Sequence, residues 1–242
     1  MSRLVTGLQP VREAIRVHGE RLERVLVEER GGPQIEAVAR FATDRGATVV
    51  RVPRGELDSR SKGARHQGAI AYAPDLALVE LEDLIADLAR LRVIVALDEI
   101  EDPQNFGAVI RSSVALGAGA IVWPEHHSAP LSPATFRASA GAVEHAKLCR
   151  VSSLGSALER LHAAGVRSIG LDANADKVIA DVPVDGPLLL VVGAEGKGLR
   201  KPIKRACSEL ARLPMSGAID SLNASVAAGI ALYDLIRRQD PA

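Results

Sequence analysis

The residues best suited to chemistry in this sequence follow two apolar stretches near its C-terminal end. The stretch PLLLVVGAEGKGL places the carboxylate of Glu195 in a glycine-rich loop directly after a predicted strand. The stretch LARLPMSGAIDSLNASVAAGI places Ser221 and Asn223 between a second predicted strand and an alanine-rich helix. Loops at the ends of buried strands are where α/β proteins build ligand sites. We therefore expect these two segments to form one composite pocket.

A third polar segment, LDEIEDPQNFGAVIRSSVALG, follows another apolar strand and opens a helix. Asp102 suits the N-cap with Pro103 at the first helical position, although Asn105 is also a possible cap. Arg111 does not belong to the apolar stripe of this helix. It is flanked by residues with small side chains, which leaves room for a ligand. A surface arginine explains its position equally well. The predicted apolar stripe is Phe106, Val109, Ile110 and Val114.

The glycine loop VVGAEGKGLRKPI departs from the known phosphate-binding fingerprints. It matches neither G-x-G-x-x-G nor the P-loop with its trailing Lys-Ser/Thr, which counts against a nicotinamide dehydrogenase and against an ATPase. Basic residues lie within this loop and in the segment that follows it, and we interpret them as a solvated helix face. They are Lys197, Arg200, Lys201, Lys204 and Arg205.

Composition excludes several classes of protein. The chain has 242 residues, 47% of them hydrophobic, and no apolar run long enough to span a bilayer. Cys149 and Cys207 suggest neither a disulfide framework nor a metal site. We predict a cytoplasmic protein with no metal and no membrane association. The net charge is zero, but residues 1–75 hold 13 Lys/Arg against 10 Asp/Glu.

The order of predicted elements indicates an α/β protein with two domains. Residues 1–75 read as a compact α/β unit, residues 76–91 as a linker that runs into a helix, and residues 92–242 as a second domain. Near-continuous apolar strands alternate there with helices, which favours a parallel sheet covered on both faces. The predicted strands of this second domain are 93–98, 119–123, 168–172 and 188–192.

Three motifs in this order, N-F-G-A-V-I-R, G-A-E-G-K-G-L and L-P-M-S-G-x-x-x-S-L-N-A-S-V-A, resemble those of the SpoU-type RNA ribose 2′-O-methyltransferases of the SPOUT superfamily. The resemblance covers residues 93–238. The N-terminal unit, with GARHQG before its last strand, is similar to the family's small L30e-like RNA substrate-binding domain. The most similar branch is the bacterial one that methylates a guanosine of large-subunit (23S) rRNA.

The resemblance implies a SPOUT-type parallel sheet with a C-terminal trefoil knot, a homodimer, and S-adenosylmethionine as the cofactor. The cofactor loops fall on Gly193, Leu213 and Leu222. The catalytic set falls on Asn105, Arg111, Glu195, Ser221 and Asn223.

Physical chemistry limits the roles that these residues can take. The family casts the motif arginine as a base, but guanidinium groups hold their proton strongly. We therefore expect Arg111 to lower the pKa of the ribose hydroxyl by its positive field and to clamp a neighbouring phosphate. A carboxylate against the sulfonium would favour the ground state, so Glu195 is expected to orient Arg111 or Asn105. Ser221 and Asn223 are expected to position ribose or phosphate.

The alanine-rich helix allows two interpretations. Ser221 is expected to cap it. Its alanines form a small-residue face that either packs in the core of the chain or lies in a subunit interface; they are Ala224, Ala227, Ala228 and Ala231.

Aromatic residues make up only 2% of the chain, so RNA binding would depend on phosphate contacts and arginine stacking. Two other functions remain open, a 2′-O-methyltransferase acting on tRNA and a non-catalytic RNA-binding protein. The candidate RNA contacts are Arg12, Arg16, Arg60, Lys62, Arg65 and His66.

Overall fold

The computed structural model describes residues 2–217 and 221–239, which fall into two compact units. The first unit comprises the chain up to Ala77 together with Leu131–His145. The second comprises Leu78–Pro130 and the chain from Ala146 onward. No helix within the described ranges has both the length and the apolar character needed to cross a bilayer.

The first unit contains the elements β1 Ser2–Thr6, α1 Leu8–His18, β2 Arg24–Glu28, α2 Pro33–Asp44, β3 Val49–Val52, α3 Arg54–Ser61, β4 Ala69–Pro74 and α6 Pro133–Ala138, with 3₁₀ turns at Gly19–Arg21 and Ala142–His145. Its four-stranded sheet has the order β1-β4-β2-β3, in which only β2 and β3 run parallel. Side chains alternate across this sheet: Val25 and Val27 pack in the core beneath α1 and α2, whereas Leu26 packs with Leu57 of α3 on the other face.

Residues 131–145 belong to the first unit, whereas the sequence interpretation placed them in the second domain. Polar contacts between distant segments explain the difference. Glu144 forms a buried ion pair with Arg3, and its carboxylate lies 2.9 Å from Nε2 of His18. Nε2 of His145 lies 2.9 Å from the carboxylate of Glu13. Because these groups are distributed over sequence-distant segments, no local pattern reveals that they meet.

The second unit is built on a six-stranded sheet in the order β10-β8-β9-β5-β6-β7, with every pair parallel. This confirms the predicted parallel sheet of an α/β fold. The central strands β5 and β9 are buried along their whole length, which explains their unbroken apolar sequences. The elements are α4 Leu81–Ala86, β5 Val93–Asp98, α5 Pro103–Leu116, β6 Ala120–Pro124, β7 Leu148–Val151, α7 Leu154–Ala163, β8 Arg167–Leu171, β9 Leu188–Gly193, α8 Lys201–Ala206, β10 Glu209–Ala211 and α9 Ala224–Gln239, with 3₁₀ turns at Leu88–Arg90 and Ile179–Asp181.

The segment 76–91 is part of the second unit for most of its length and not a linker. Leu81, Leu84 and Leu91 are each 5% exposed or less and pack in the core of that unit. The predicted helix in this segment is confirmed as α4. The C-terminal trefoil knot stays a prediction.

Candidate functional site

The site is organised by the adjacent ends of β5 and β9, where Asp98 and Gly193 are direct neighbours in the sheet. The chain after β5 leads into α5, and the chain after β9 forms the loop that contains Glu195. The carboxyl ends of parallel strands lie at the same edge of a sheet, so both segments emerge together.

Gly193 is required by the tight turn that follows β9. A Cβ atom at this position would lie 2.2 Å from the carbonyl carbon of Gly198, which no side chain tolerates. Ala194 and Gly198 pair as an antiparallel bridge, so the intervening residues form a small hairpin. Glu195 therefore lies in an exposed loop whose two ends are held together by the bridge between Ala194 and Gly198.

Asp98 anchors the far end of this loop. Its carboxylate is fully buried and accepts hydrogen bonds from the backbone N–H of Arg200 at 2.8 Å and from its Nε at 2.7 Å. The hydrogen bond that Arg200 donates to the Asp98 carboxylate raises the pKa of Arg200 above its ordinary value. The interpretation of Arg200 as part of a solvated helix face was wrong, because a buried carboxylate on β5 requires a charged donor.

Asp102 caps α5, with Pro103 at its first position, and confirms the first of the two predicted caps. The carboxylate accepts from the backbone N–H of Gln104 at 3.0 Å and of Asn105 at 3.3 Å. Because Asp102 fills this role, the side-chain amide of Asn105 is available for other contacts.

Asn105, Glu195 and Asn223 form one hydrogen-bonded cluster from three separated segments. The Oε2 atom of Glu195 accepts from Nδ2 of Asn105 at 3.1 Å and from Nδ2 of Asn223 at 2.9 Å. Nδ2 of Asn223 also donates to Oδ1 of Asn105 at 2.8 Å. Of the two partners predicted for Glu195, the structure places Asn105 in contact with it.

Asn223, and not Ser221, caps α9. Its Oδ1 accepts from the backbone N–H of Ser225 at 3.0 Å and from the Ser225 hydroxyl at 2.6 Å. Ser221 is exposed and lies three residues before the helix begins at Ala224, too early to cap it. One side chain thus fixes the start of α9 with its oxygen and holds Glu195 with its nitrogen.

A cavity of about 570 Å³ lies beside this cluster. Gly193, Leu213 and Leu222, the three predicted cofactor positions, all line it, as do Glu195 and Ser221. Its volume falls in the range of sites that enclose small organic ligands. The structure therefore places the predicted cofactor positions and two of the five predicted catalytic residues, Glu195 and Ser221, on one cavity. Asn105 and Asn223 are joined to it through Glu195.

An ion pair between Asp172, just after β8, and Lys204 borders the same cavity. Burial raises the pKa of the Asp172 carboxyl, but hydrogen bonds from Lys204 and from the backbone N–H of Asn174 outweigh it. The net pKa therefore lies below the ordinary value. The interpretation of Lys204 as part of a solvated helix face was therefore wrong, and Asp172 was not singled out because it belongs to no recognisable motif.

Arg111 is the predicted catalytic residue that the structure does not bring to the cluster. It is exposed, does not line the cavity, and bonds to none of the residues in 2–217 and 221–239. Six helical positions separate it from Asn105, which turns it well away from that side chain.

Three alanines of the predicted small-residue face of α9 pack inside the chain, whereas the other, Ala227, lines the cavity. Ala224, Ala228 and Ala231 are each 4% exposed or less, and α9 packs along α5. A different stripe of the helix is open to solvent: Val226, Ile230 and Tyr233 are 49%, 47% and 56% exposed.

The candidate RNA contacts of the first unit divide into three groups. Arg16 pairs with Glu13 at 2.5 Å, and Arg60 pairs with Glu56 at 2.7 Å. His66 is buried, with both ring nitrogens hydrogen-bonded, so it offers no nitrogen to a ligand. The exposed residues without an ion-pair partner in the described part of the chain are Arg12, Lys62 and Arg65.

Neither cysteine has the character of a nucleophile. Burial raises the pKa of Cys149 and of Cys207 to about 11. A search of the described residues finds no group of His, Cys, Asp and Glu side chains arranged to hold a metal ion.

Comparison with known proteins gives matches over both units. The SpoU rRNA Methylase family profile matches residues 92–233, and the profile for RNA 2′-O ribose methyltransferase substrate binding matches residues 4–78. The putative TrmH family tRNA/rRNA methyltransferase YacO of Bacillus subtilis is 35% identical over 240 residues, which cover 98% of this chain and 96% of that protein.

Two solved structures with the cofactor AdoMet are similar along the whole chain. The AdoMet-bound rRNA methyltransferase from Sinorhizobium meliloti has 27% identity and a TM-score of 0.79, over 100% of this chain and 88% of the other. The SpoU methyltransferase AviRb from Streptomyces viridochromogenes, in complex with AdoMet, has 26% identity and a TM-score of 0.77, over 98% and 90%.

Proposed function

Because the chain belongs to the SpoU rRNA methylase family, we propose that it methylates the ribose 2′-hydroxyl of a guanosine in 23S rRNA, with S-adenosylmethionine as methyl donor. The observation that carries the proposal is the cluster of Asn105, Glu195 and Asn223 beside a ligand-sized cavity. The similarity to an AdoMet-bound rRNA methyltransferase along the whole chain supports the choice of substrate.

The residues around the cavity fit S-adenosylmethionine. Gly193 lines the cavity through its backbone, and Leu213 and Leu222 supply apolar walls for a planar base. Polar groups of Glu195 and Ser221 lie at the cavity surface. When bound, S-adenosylmethionine supplies an electrophilic methyl group on a positively charged sulfur.

The side chains of the cluster orient the acceptor ribose. Glu195 holds the amide groups of Asn105 and Asn223 in one arrangement, and Ser221, which is exposed, is placed to bond the ribose or its phosphate. Precise placement of the 2′-oxygen is worth several powers of ten in rate for a displacement of this type. Removing one positioning group is expected to cost about a hundredfold.

Arg111 acts on the nucleophile through its charge. A guanidinium near the ribose favours the ionised hydroxyl, whose proton passes to water, and it bonds the adjacent phosphate without accepting a proton itself. Its exposed position outside the Glu195 cluster suits contact with the RNA strand and not with the donor.

A second copy of this chain covers the exposed stripe of α9. Val226, Ile230 and Tyr233 lie at positions i, i+4 and i+7 and form one apolar face without a partner among the described residues. Replacement of Ile230 by Glu is expected to convert a homodimer to a monomer in light scattering. A wild-type monomer at micromolar concentration would refute this part of the proposal.

Incubation with tritiated S-adenosylmethionine and separate transcripts of 23S rRNA and tRNA tests the activity directly. We expect label in 23S rRNA, recovered as 2′-O-methylguanosine after nuclease digestion, and its loss with Glu195→Ala. Label in tRNA alone would favour the tRNA-modifying alternative. No label and no heat of S-adenosylmethionine binding in calorimetry would favour a non-catalytic RNA-binding protein.

A further inference from the structure

Methyl transfer to a ribose hydroxyl releases one proton, and Arg111 and the Glu195 cluster are poor acceptors for it. The guanidinium of Arg111 already holds its own proton strongly. The Oε2 atom of Glu195 is occupied by the amide groups of Asn105 and Asn223. Imidazole is the side-chain group that takes up a proton near neutral pH, so a histidine beside the site is the natural acceptor.

Two of the six histidines in the chain lie at the edge of the sheet where the site is built. His126 and His127 follow β6 directly, and the carboxyl end of β6 neighbours that of β5, from which the chain leads to Asn105. His162 lies on α7, and its Nε2 bonds the hydroxyl of Ser168 at the amino end of β8, at 2.7 Å. The other three belong to the first unit; they are His18, His66 and His145.

The loop after β6 is held at both ends by backbone hydrogen bonds. The N–H of Glu125 donates to the carbonyl of Val151 on β7 at 2.8 Å. The N–H of Ala129 donates to the carbonyl of Ile100, after β5, at 2.8 Å. Between these two anchors, His127 has a left-handed backbone with φ of 57°. Residues other than glycine adopt this conformation rarely, and those that do concentrate at functional sites.

Glu101, in the loop after β5, faces the imidazole of His127. Its Oε1 atom lies 3.8 Å from Nδ1, and both side chains are exposed. A carboxylate at this place attracts the imidazolium that proton uptake creates, and it leaves Nε2 as the nitrogen open to a ligand or to water. Asn105 lies only four residues beyond Glu101, within roughly 10 Å along the chain. His127 therefore lies close to the start of α5, where the polar cluster is held.

The other charged groups at this edge have other partners or lie exposed around the loop. Glu99 lies 3.4 Å from Nε of Arg200, and Asp102 accepts from the first N–H groups of α5. The exposed neighbours are Glu125, His126 and Arg150. Within the described part of the chain, the contact with Glu101 thus distinguishes His127 from His126.

We propose that His127 accepts the proton of the ribose 2′-hydroxyl through one water molecule, and that Glu101 positions its imidazole. The O–H bond breaks and the proton ends on Nε2, while an electron pair of the oxygen forms the bond to the methyl carbon. The bond from that carbon to sulfur breaks, and its electron pair stays on the sulfur, which becomes neutral. The exposed imidazolium then returns its proton to solvent. The inference rests on the proposed function, because it takes the ribose hydroxyl as the methyl acceptor.

Single-turnover methylation by the full-length protein over a range of pH tests the inference. The assay uses tritiated S-adenosylmethionine and whichever of the 23S rRNA and tRNA transcripts wild type labels. His127→Gly is the main variant, since glycine adopts a left-handed backbone without strain and leaves space for added imidazole. His126→Gly is the matched control, because it removes the neighbouring imidazole of the same loop. Circular dichroism and calorimetric titration with S-adenosylmethionine check the fold and the donor site of each variant.

We expect the wild-type rate to rise with pH and to level off above about pH 7. His127→Gly should be slower by about a hundredfold at neutral pH, lose this levelling, and recover part of its rate when free imidazole is added. Glu101→Gln should be slower by about tenfold, since its imidazole is present but no longer attracted by a carboxylate. His126→Gly should keep the wild-type rate and pH profile, and all three variants should bind the donor like wild type.

The inference is overturned if His127→Gly keeps the wild-type rate and pH profile. It is equally overturned if the variant is slower by the same factor at every pH and imidazole restores nothing, since that result indicates a structural or phosphate-binding role. A wild-type protein that labels a transcript while His127→Gly behaves normally removes only the inference. A wild-type protein that labels neither transcript removes the proposed function, and the inference with it.

Discussion

Replacement of Asp98 by Asn tests whether a buried charge positions the loop that contains Glu195. Asp98 is 0% exposed and receives two hydrogen bonds from Arg200 at 2.7 and 2.8 Å. An asparagine oxygen still accepts from the backbone N–H, but its amide N–H₂ would face the guanidinium N–H. One charge-assisted contact is therefore lost.

The magnitude follows from the burial of the two partners. Loss of a hydrogen bond to a charged group costs about 1.5–3 kcal/mol. The Arg200 side chain is 41% exposed, so water compensates part of the loss on that side. We expect Asp98→Asn to lower the free energy of unfolding by about 2 kcal/mol and to raise the Kd for S-adenosylmethionine about tenfold, since a tenfold change corresponds to about 1.4 kcal/mol.

Urea denaturation and isothermal titration calorimetry measure the two effects. The matched control is Glu82→Gln, which removes the charge of an exposed carboxylate paired with Arg160 on the same unit and should change stability by less than about 1 kcal/mol. Arg200→Lys keeps the charge but loses the forked geometry, so it should fall between wild type and Asp98→Asn. An Asp98→Asn protein that is destabilised yet binds the donor with wild-type affinity would refute the positioning role.

Four further predictions follow from contacts in the two units. Asn223→Ser keeps a capping hydroxyl, but the serine side chain is too short to reach Glu195. The rate of methyl transfer should therefore fall about a hundredfold, while the free energy of unfolding changes by less than about 0.5 kcal/mol. A large loss of stability in denaturation beside the loss of rate would contradict the idea that the two roles of Asn223 can be separated. The pKa of Asp172 is lowered in the folded state, so its carboxylate stabilises the protein above about pH 4 and loses that effect as the pH falls. In urea titrations, the difference in free energy of unfolding between wild type and Asp172→Asn should therefore shrink from about pH 5 to about pH 3. A difference that stays constant over this range would contradict the lowered pKa. The raised pKa of Cys149 and of Cys207, about 11, predicts no reaction of the native protein with Ellman's reagent near pH 8 and reaction of both thiols after unfolding; rapid labelling of the native protein would disprove it. Glu144→Ala leaves Arg3 buried without its carboxylate and should lower the melting temperature by an amount that corresponds to about 3–5 kcal/mol, and a melting temperature like that of wild type would contradict the buried pair.

Local sequence patterns predicted most of the fold because the buried strands and amphipathic helices are repetitive. The apolar runs that became β5 and β9 could be placed within a residue of their observed bounds. Strand β7 was missed because its four residues, Leu148–Val151, include an exposed arginine and are too few to form an extended apolar run. Short edge strands have too few residues to establish a period.

Features that depend on contacts between distant segments could not be predicted in this way. The pairing of Asp98 with Arg200 and the ion pair of Arg3 with Glu144 each join residues more than a hundred positions apart. Motif spacing suggested that Glu195 and Asn223 share a site, but not that the side chain of Asn223 also caps α9. The expectation that Ser221 caps this helix failed because the helix begins later than its composition suggests.

The crystal structure of the protein soaked with S-adenosylmethionine tests the central claim most directly. The donor is predicted in the cavity lined by Gly193, Leu213 and Leu222. Density for the donor at any other place on the chain, with this cavity empty, would contradict the account.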